Sequence, residues 1–151
     1  MRYVFYQPEF TDKAESRLRI EQELRQTIDM GELELCYQPQ IDLDTGRMAG
    51  VEALVRWNHP TRGQIPPGEF IGIAERIGFI KPLGHWVLKT ACEQVMAWRE
   101  TDLRHFQLAV NVSSSQFLGD EFIKTVEQVL VDSDLPGSSL ELEITENRLI
   151  N

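Results

Sequence analysis

The sequence predicts an α/β fold with parallel strands, and three observations carry that prediction. From residue 32 onward, short runs with strand alternation take turns with longer runs of helical periodicity. The order from Met48 to Thr145 reads strand, helix, strand, helix, strand, and parallel strands need such crossover connections. Each of the last three strands also has one aliphatic face and one face bearing Asn or Glu.

The elements follow in order. Arg2 to Tyr6 is a short aromatic and β-branched run that reads as a strand closed by Pro8. From Thr11 to Met30 helix formers dominate, with Leu18, Leu24 and Ile28 as an apolar stripe and Gly31 as the stop. This segment reads as a charged connecting helix with one buried face. Leu33 to Ile41 is a strand with Leu33, Leu35 and Tyr37 on one side, Asp44-Thr45-Gly46 is a turn, and Met48 to Trp57 is the next strand. Asn58 to Gly68, with three prolines and two glycines, reads as a loop, and Glu69 to Ile77 as a short helix.

A longer helix is predicted over Leu83 to Arg99, where Leu88, Ala91, Val95 and Trp98 share one face. Phe106 to Val112 is a strand. Asp120 to Val131 is a helix with Phe122, Ile123, Val126, Val129 and Leu130 turned inward. Pro136-Gly137 breaks it, and Leu140 to Thr145 is the last strand.

Parity divides the strands further. Val51, Ala53 and Val55 oppose Glu52, Leu54 and Arg56; Leu108, Val110 and Val112 oppose Ala109 and Asn111; Leu140, Leu142 and Ile144 oppose Glu141, Glu143 and Thr145. Helices flanking such strands cover the aliphatic faces, so the polar faces either line a shared interior or meet water as one side of an open sheet. In an interior, carboxylates need a counter-charge, and oxygen ligands alone select a hard cation such as magnesium or manganese. His59, His85 and His105 are scattered without zinc spacing and read as structural. Cys36 and Cys92 form no C-x-x-C pair and read as two reduced, buried small residues.

A net charge of −9 argues against a nucleic acid polymer spread over a broad surface, which needs clustered Lys and Arg. A small anion held by one local cation is compatible with it. No run approaches the roughly 20 apolar residues of a membrane span, and the amino terminus lacks the apolar core of a secretory signal. A cytoplasmic location is expected, with no membrane contact in this segment, although a parent protein could be anchored through a region outside it.

One set of residues is recognisable. Tyr37-Gln38-Pro39 and Gly50-Val51-Glu52-Ala53-Leu54-Val55-Arg56-Trp57 resemble the start of an EAL domain. Asn58-His59-Pro60, Gly63, Pro66-Pro67, Phe70 and Ala74-Glu75 continue the likeness, and Asn111-Val112-Ser113 and Leu142-Glu143-Ile144-Thr145-Glu146 follow in the family's order. The tripeptide alone would carry no weight; the ordered set does. Arg2 to Tyr6 and the charged helix resemble the end of a GGDEF-type domain and its connector. The implied organisation is 1–7 as the end of a GGDEF-like domain, 8–31 as a connecting helix, and 32–151 as the amino-terminal half of an EAL domain.

The resemblance implies a modified eight-stranded (β/α) barrel with one antiparallel strand, of which this chain supplies the first four strands or so. It implies hydrolysis of cyclic di-GMP to linear pGpG with magnesium or manganese. Glu52, Asn111 and Glu143 correspond to metal ligands, and Gln38, Leu54 and Arg56 to ligand-contacting positions. Arg56 also has a bland reading, as a partner for Glu52 or another carboxylate; Gln38 has one as a polar interior residue; and Glu141 and Glu146 read as peripheral. The family's later Asp-Asp pair and lysine do not occur by Asn151, so this chain alone is expected to be inactive and to dimerise, swap or disorder at its unpaired edge. A receptor that holds cyclic di-GMP without cleaving it, or a degenerate interaction module, is the alternative.

Overall fold

The longest strand organises the rest of the molecule. A computed structural model describes residues 18–99, 107–117 and 120–145. The predicted strand over Arg2 to Tyr6, and with it the GGDEF-like assignment of residues 1–7, lies outside the described residues, as does His105.

Residues 18–24 are helical and are followed by the short helix α1 (Thr27–Met30). The chain then runs β1 (Leu33–Ile41), β2 (Met48–His59), β3 (Gly63–Ile65), α2 (Pro67–Arg76), α3 (Ile80–Arg99), β4 (Gln107–Ser113), α4 (Glu121–Ser133) and β5 (Leu140–Thr145). Single 3₁₀ turns cover Ser114–Phe117 and Gly137–Ser139.

The sheet order is β1-β2-β4-β5. β2 pairs antiparallel with β1, whereas β2, β4 and β5 are mutually parallel, as their helical crossovers require. β4 pairs with Gly50 to Ala53 of β2, and β3 pairs with Trp57 to His59 further along it. Along the path β1-β2-β4-β5, one antiparallel strand beside parallel neighbours is the arrangement that the resemblance implied; β3 adds a second antiparallel pairing to β2 off that path.

Local chemistry explains the joints. Gly31 sits at φ 67° and closes α1, the left-handed position that favours glycine. In the β1–β2 turn Asp42 Oδ1 accepts hydrogen bonds from Thr45 N at 2.7 Å and Thr45 Oγ1 at 2.8 Å. α2 and α3 both begin earlier than the sequence predicted. The reason is shared: Pro67 opens α2 and Pro82 lies in the first turn of α3, where a missing N–H forfeits no helical bond.

The core lies between the sheet and its helices. Val51, Ala53, Trp57, Leu108, Val110 and Val112 face α2 and α3 residues Phe70, Ile73, Leu83, Leu88, Ala91 and Val95, all buried. Tyr37 meets the edge of Trp98 with ring centroids 4.7 Å apart. The parity assignment of the aliphatic faces therefore agrees with the burial, apart from Ile144, which is exposed on edge strand β5.

Four expectations need correction. Asn58 to Gly68 is not all loop, because Gly63 to Ile65 returns as β3 and pairs with β2, a contact no local pattern announces. Leu18 is exposed; the buried face before β1 is Ile20, Leu24 and Thr27, and Leu18 lies well round the helix from it. Ile123 is exposed because the buried stripe of α4 runs through Phe122 and Val129. Cys92 is buried, but Cys36 is exposed, since it shares a face with Glu34 and Gln38 and not with Leu35 and Tyr37.

Candidate functional site

The second face of the sheet brings the predicted residues together. Cα register places Gln38 of β1 opposite Glu52 of β2, and Cys36 opposite Leu54. Glu52 is opposite Ala109 of β4, and Asn111 is opposite Glu143 of β5. Gln38, Glu52, Asn111 and Glu143 thus cross four neighbouring strands on one face. Ala109 is what lets Asn111 reach diagonally to Glu52, because only a methyl group stands between them.

Asn111 Nδ2 donates to Glu52 Oε1 at 2.6 Å, a short charge-assisted bond. Glu143 has its carboxyl pushed above the usual value, by burial first and then by the charges of Glu52 and Glu141. Glu141 itself is exposed, and Glu146 lies outside the described residues.

Arg56 stands two residues beyond Leu54 on the same face, partly buried. Its Nη1 donates to the carbonyl of Val55 at 2.9 Å. None of the ion pairs among the described residues engages it. Its register partner Glu34 accepts instead from Asn58 Nδ2 at 2.7 Å. The bland reading of Arg56 as a partner for a barrel carboxylate is therefore not what the described residues adopt.

Leu54, Arg56, Asn111 and Ser113 line a cavity of about 260 Å³, closed from the helical side by Ile71 and Gly84. Its wall also includes Ala53, Val55 and Val112 of the aliphatic face, and Gln38, Glu52 and Glu143 are not among its lining residues. A second cavity, about 480 Å³, lies in the helical layer among Lys81, His85, Trp86, Lys89 and Phe122 and touches none of the predicted site residues.

Among the described residues no three His, Cys, Asp or Glu side chains gather as a metal-holding group. The candidate donors are two carboxylates and one amide oxygen, a set that suits a hard divalent cation and not zinc. Burial raises Glu143 most, and the charges of Glu52 and Glu141 add to it; such a cation would offset that added charge. On donor chemistry the residues fit.

Sequence reasoning missed a buried polar group at the end of β4. Ser113 donates its hydroxyl proton to Glu75 Oε1, and Gln116 Oε1 accepts from Ser113 N at 3.0 Å. Ser113 and Gln116 are both buried. The available signal was parity, since Ser113 shares the face of Ala109 and Asn111. His59 is structural, as expected: its Nδ1 accepts from Thr61 N and Arg62 N, and its Nε2 meets Glu23 at 3.3 Å.

The chain is similar to known proteins over most of its length. It is 38% identical over 145 residues to MucR of Pseudomonas aeruginosa, a bifunctional diguanylate cyclase/cyclic di-GMP phosphodiesterase, covering 96% of this chain and 21% of MucR. It is 36% identical over 146 residues to the oxygen sensor protein DosP of Escherichia coli, covering 97% of this chain and 18% of DosP. Among solved structures, the PaMucR phosphodiesterase in complex with c-di-GMP superposes with a TM-score of 0.81 at 40% identity, over 85% of this chain and 52% of that one. The chain thus spans about a fifth of these curated relatives and about half of that structure. The EAL domain family matches residues 21–151, and the chain belongs to the EAL family.

Proposed function

We propose that this chain supplies one half of a site for metal-dependent hydrolysis of cyclic di-GMP to linear pGpG. The observation that carries the reading is the single face holding Glu52, Asn111 and Glu143 on three adjacent strands, with Arg56 beside them in no ion pair among the described residues. The PaMucR structure, whose ligand is c-di-GMP, supports the substrate class.

In this reading Glu52, Asn111 and Glu143 hold magnesium or manganese. When bound, the metal neutralises phosphate charge and lowers the pKa of water. Arg56 offers its guanidinium to a phosphate oxygen, a match of planar donor to anion that lysine would not reproduce. Gln38 orients the ligand by hydrogen bonding, and Leu54 forms an apolar wall between Glu52 and Arg56. The later Asp-Asp pair and lysine of the family are needed to complete the reaction, so these 151 residues alone are inactive. Residues 8–31 are read as the connector, and the end of that segment packs on the rest of the chain, where Glu23 meets His59 and Arg62 and Arg25 donates to the carbonyl of Ile77. A reducing cytoplasm is the expected setting; no helix among the described residues is long and apolar enough to cross a membrane.

The test is hydrolysis of cyclic di-GMP, followed chromatographically, by a chain that contains these residues together with the downstream motifs. Activity that requires manganese or magnesium and disappears in Glu52→Gln and Asn111→Ala is expected. Tight, metal-independent binding without turnover would replace the enzyme reading by a receptor. Turnover by the 151 residues alone would overturn the half-site reading.

A further inference from the structure

We propose that Glu75, at the end of α2, is a positioning residue for Asn111, acting through Ser113. Its functional weight rests on the ligand role proposed above for Asn111. Ser113 ends β4, two residues beyond Asn111 and on the same face. Its hydroxyl has one proton and two acceptor sites, and all three are used. The proton goes to Glu75 Oε1, so the hydroxyl of Ser115, 2.8 Å away, must donate to Ser113 Oγ. Ser115 N also donates to that oxygen at 3.3 Å.

The backbone of Ser113 is held as well, since its N–H donates to Gln116 Oε1. The Gln116 side chain in turn lies against Gly84 of α3, so close that a Cβ there would fall 1.9 Å from its Nε2. The end of α2 that carries Glu75 is tied to the preceding helical segment. The neighbouring Arg76 reaches Glu21 at 3.5 Å, and the carbonyl of Ile77 accepts from Arg25 Nη2 at 3.2 Å.

A strand end fixed on both its hydroxyl and its N–H cannot rotate about its own axis. That rotation is what would carry Asn111 Nδ2 away from Glu52. α2 therefore does more than cover the sheet: it sets the azimuth of β4 at the point where β4 presents its amide. Outer partners of this kind change metal affinity by roughly 10- to 100-fold when removed.

The deciding measurement needs no metal. In the ¹⁵N-labelled 151-residue chain, the side-chain amide of Asn111, identified by its loss in Asn111→Asp, is expected to be shifted downfield and protected from exchange by its bond to Glu52. Glu75→Ala and Ser113→Ala are expected to collapse that signature, whereas Glu75→Gln, which keeps an acceptor oxygen, preserves it. If Glu75→Ala does not fold, Ser113→Ala decides by itself, because it removes one atom. An unchanged Asn111 signal in the folded variants, whatever their melting temperatures, overturns the proposal. Manganese added to a wild-type chain that carries these residues together with the downstream motifs tests the metal reading separately. Broadening of the Asn111 signal, weakened about tenfold in Ser113→Ala, supports both. Absent broadening with a collapsed signal in Ser113→Ala ends the metal reading and leaves the positioning role standing.

Discussion

The two faces of this sheet are made by the same strands, yet they follow opposite rules. On the helix side, Trp57, Leu108, Val110 and Val112 have essentially no exposed surface and pack at the density of a protein interior. On the other side the Glu143 carboxyl is raised by burial and then by the charges of Glu52 and Glu141, while Glu52 accepts one hydrogen bond from Asn111. The first face supplies stability. The second uses some of it, because groups arranged for a charged ligand are not arranged for each other.

The comparison breaks most readily at Trp57. Trp57→Ala removes a fully buried indole and its donor bond to Glu32 Oε2, and about 3–5 kcal/mol of unfolding free energy is expected to go, read by urea denaturation. Gln38→Ala on the opposite face is expected to stay within about 0.5 kcal/mol. Comparable losses in the two variants would dissolve the distinction.

Gly84→Ala probes the seam between α3 and the end of β4. The added methyl group forces Gln116 off Ser113, and a loss of about 1–3 kcal/mol is expected by the same assay. A stability equal to wild type would mean that Gln116 moves freely and that the seam is soft.

Raising pH should attack the covered face. Burial pushes the Cys92 thiol up to about 11, although Ser133 beside it pulls the other way. Burial, and then Cys92, push Tyr37 up to about 12. The fold favours both protonated forms, so their contribution is intact below the unfolded values of 9.0 and 10.0 and is lost as pH climbs through the folded ones. The melting temperature should fall progressively from pH 9 to 12, and Cys92→Ala should delay the onset. A flat profile would show these groups to be better solvated than their packing implies.

The smallest effect belongs to the polar face and has a different pH window. Glu143 has its folded pKa raised, so the metal-free chain should gain stability as pH is lowered from neutrality toward the usual carboxylate value. Glu143→Gln should flatten that slope, and Glu52→Gln should reduce it by removing one of the charges responsible. A melting temperature that instead drops across this interval in wild type and not in Glu143→Gln would reverse the sign assigned to this face.

Much of this was legible in the residues themselves. Alternation in Val51 to Arg56 and Leu108 to Val112 assigned both faces correctly, because side chains on a strand can point only two ways. Helix starts were read late at Pro67 and Pro82, where a proline normally taken as a boundary sits inside the first turn. β3 was missed because Gly63 to Ile65 has no strand character of its own and acquires it from Trp57 to His59.

Composition and local pattern determined that Glu52 and Arg56 would share a face with Leu54 between them, as the period of two demands. They could not determine that Asn111 would reach Glu52, since that bond spans 59 positions and depends on the register of β2 against β4 and on the small size of Ala109. Nor could they show that Arg56 would turn to Val55 while Glu34 took Asn58, or that Glu75 would close on Ser113 from another element. Local sequence decides which way a side chain leaves its own strand. The partner it finds there depends on which strands and helices pack beside it, and tertiary structure alone makes that choice.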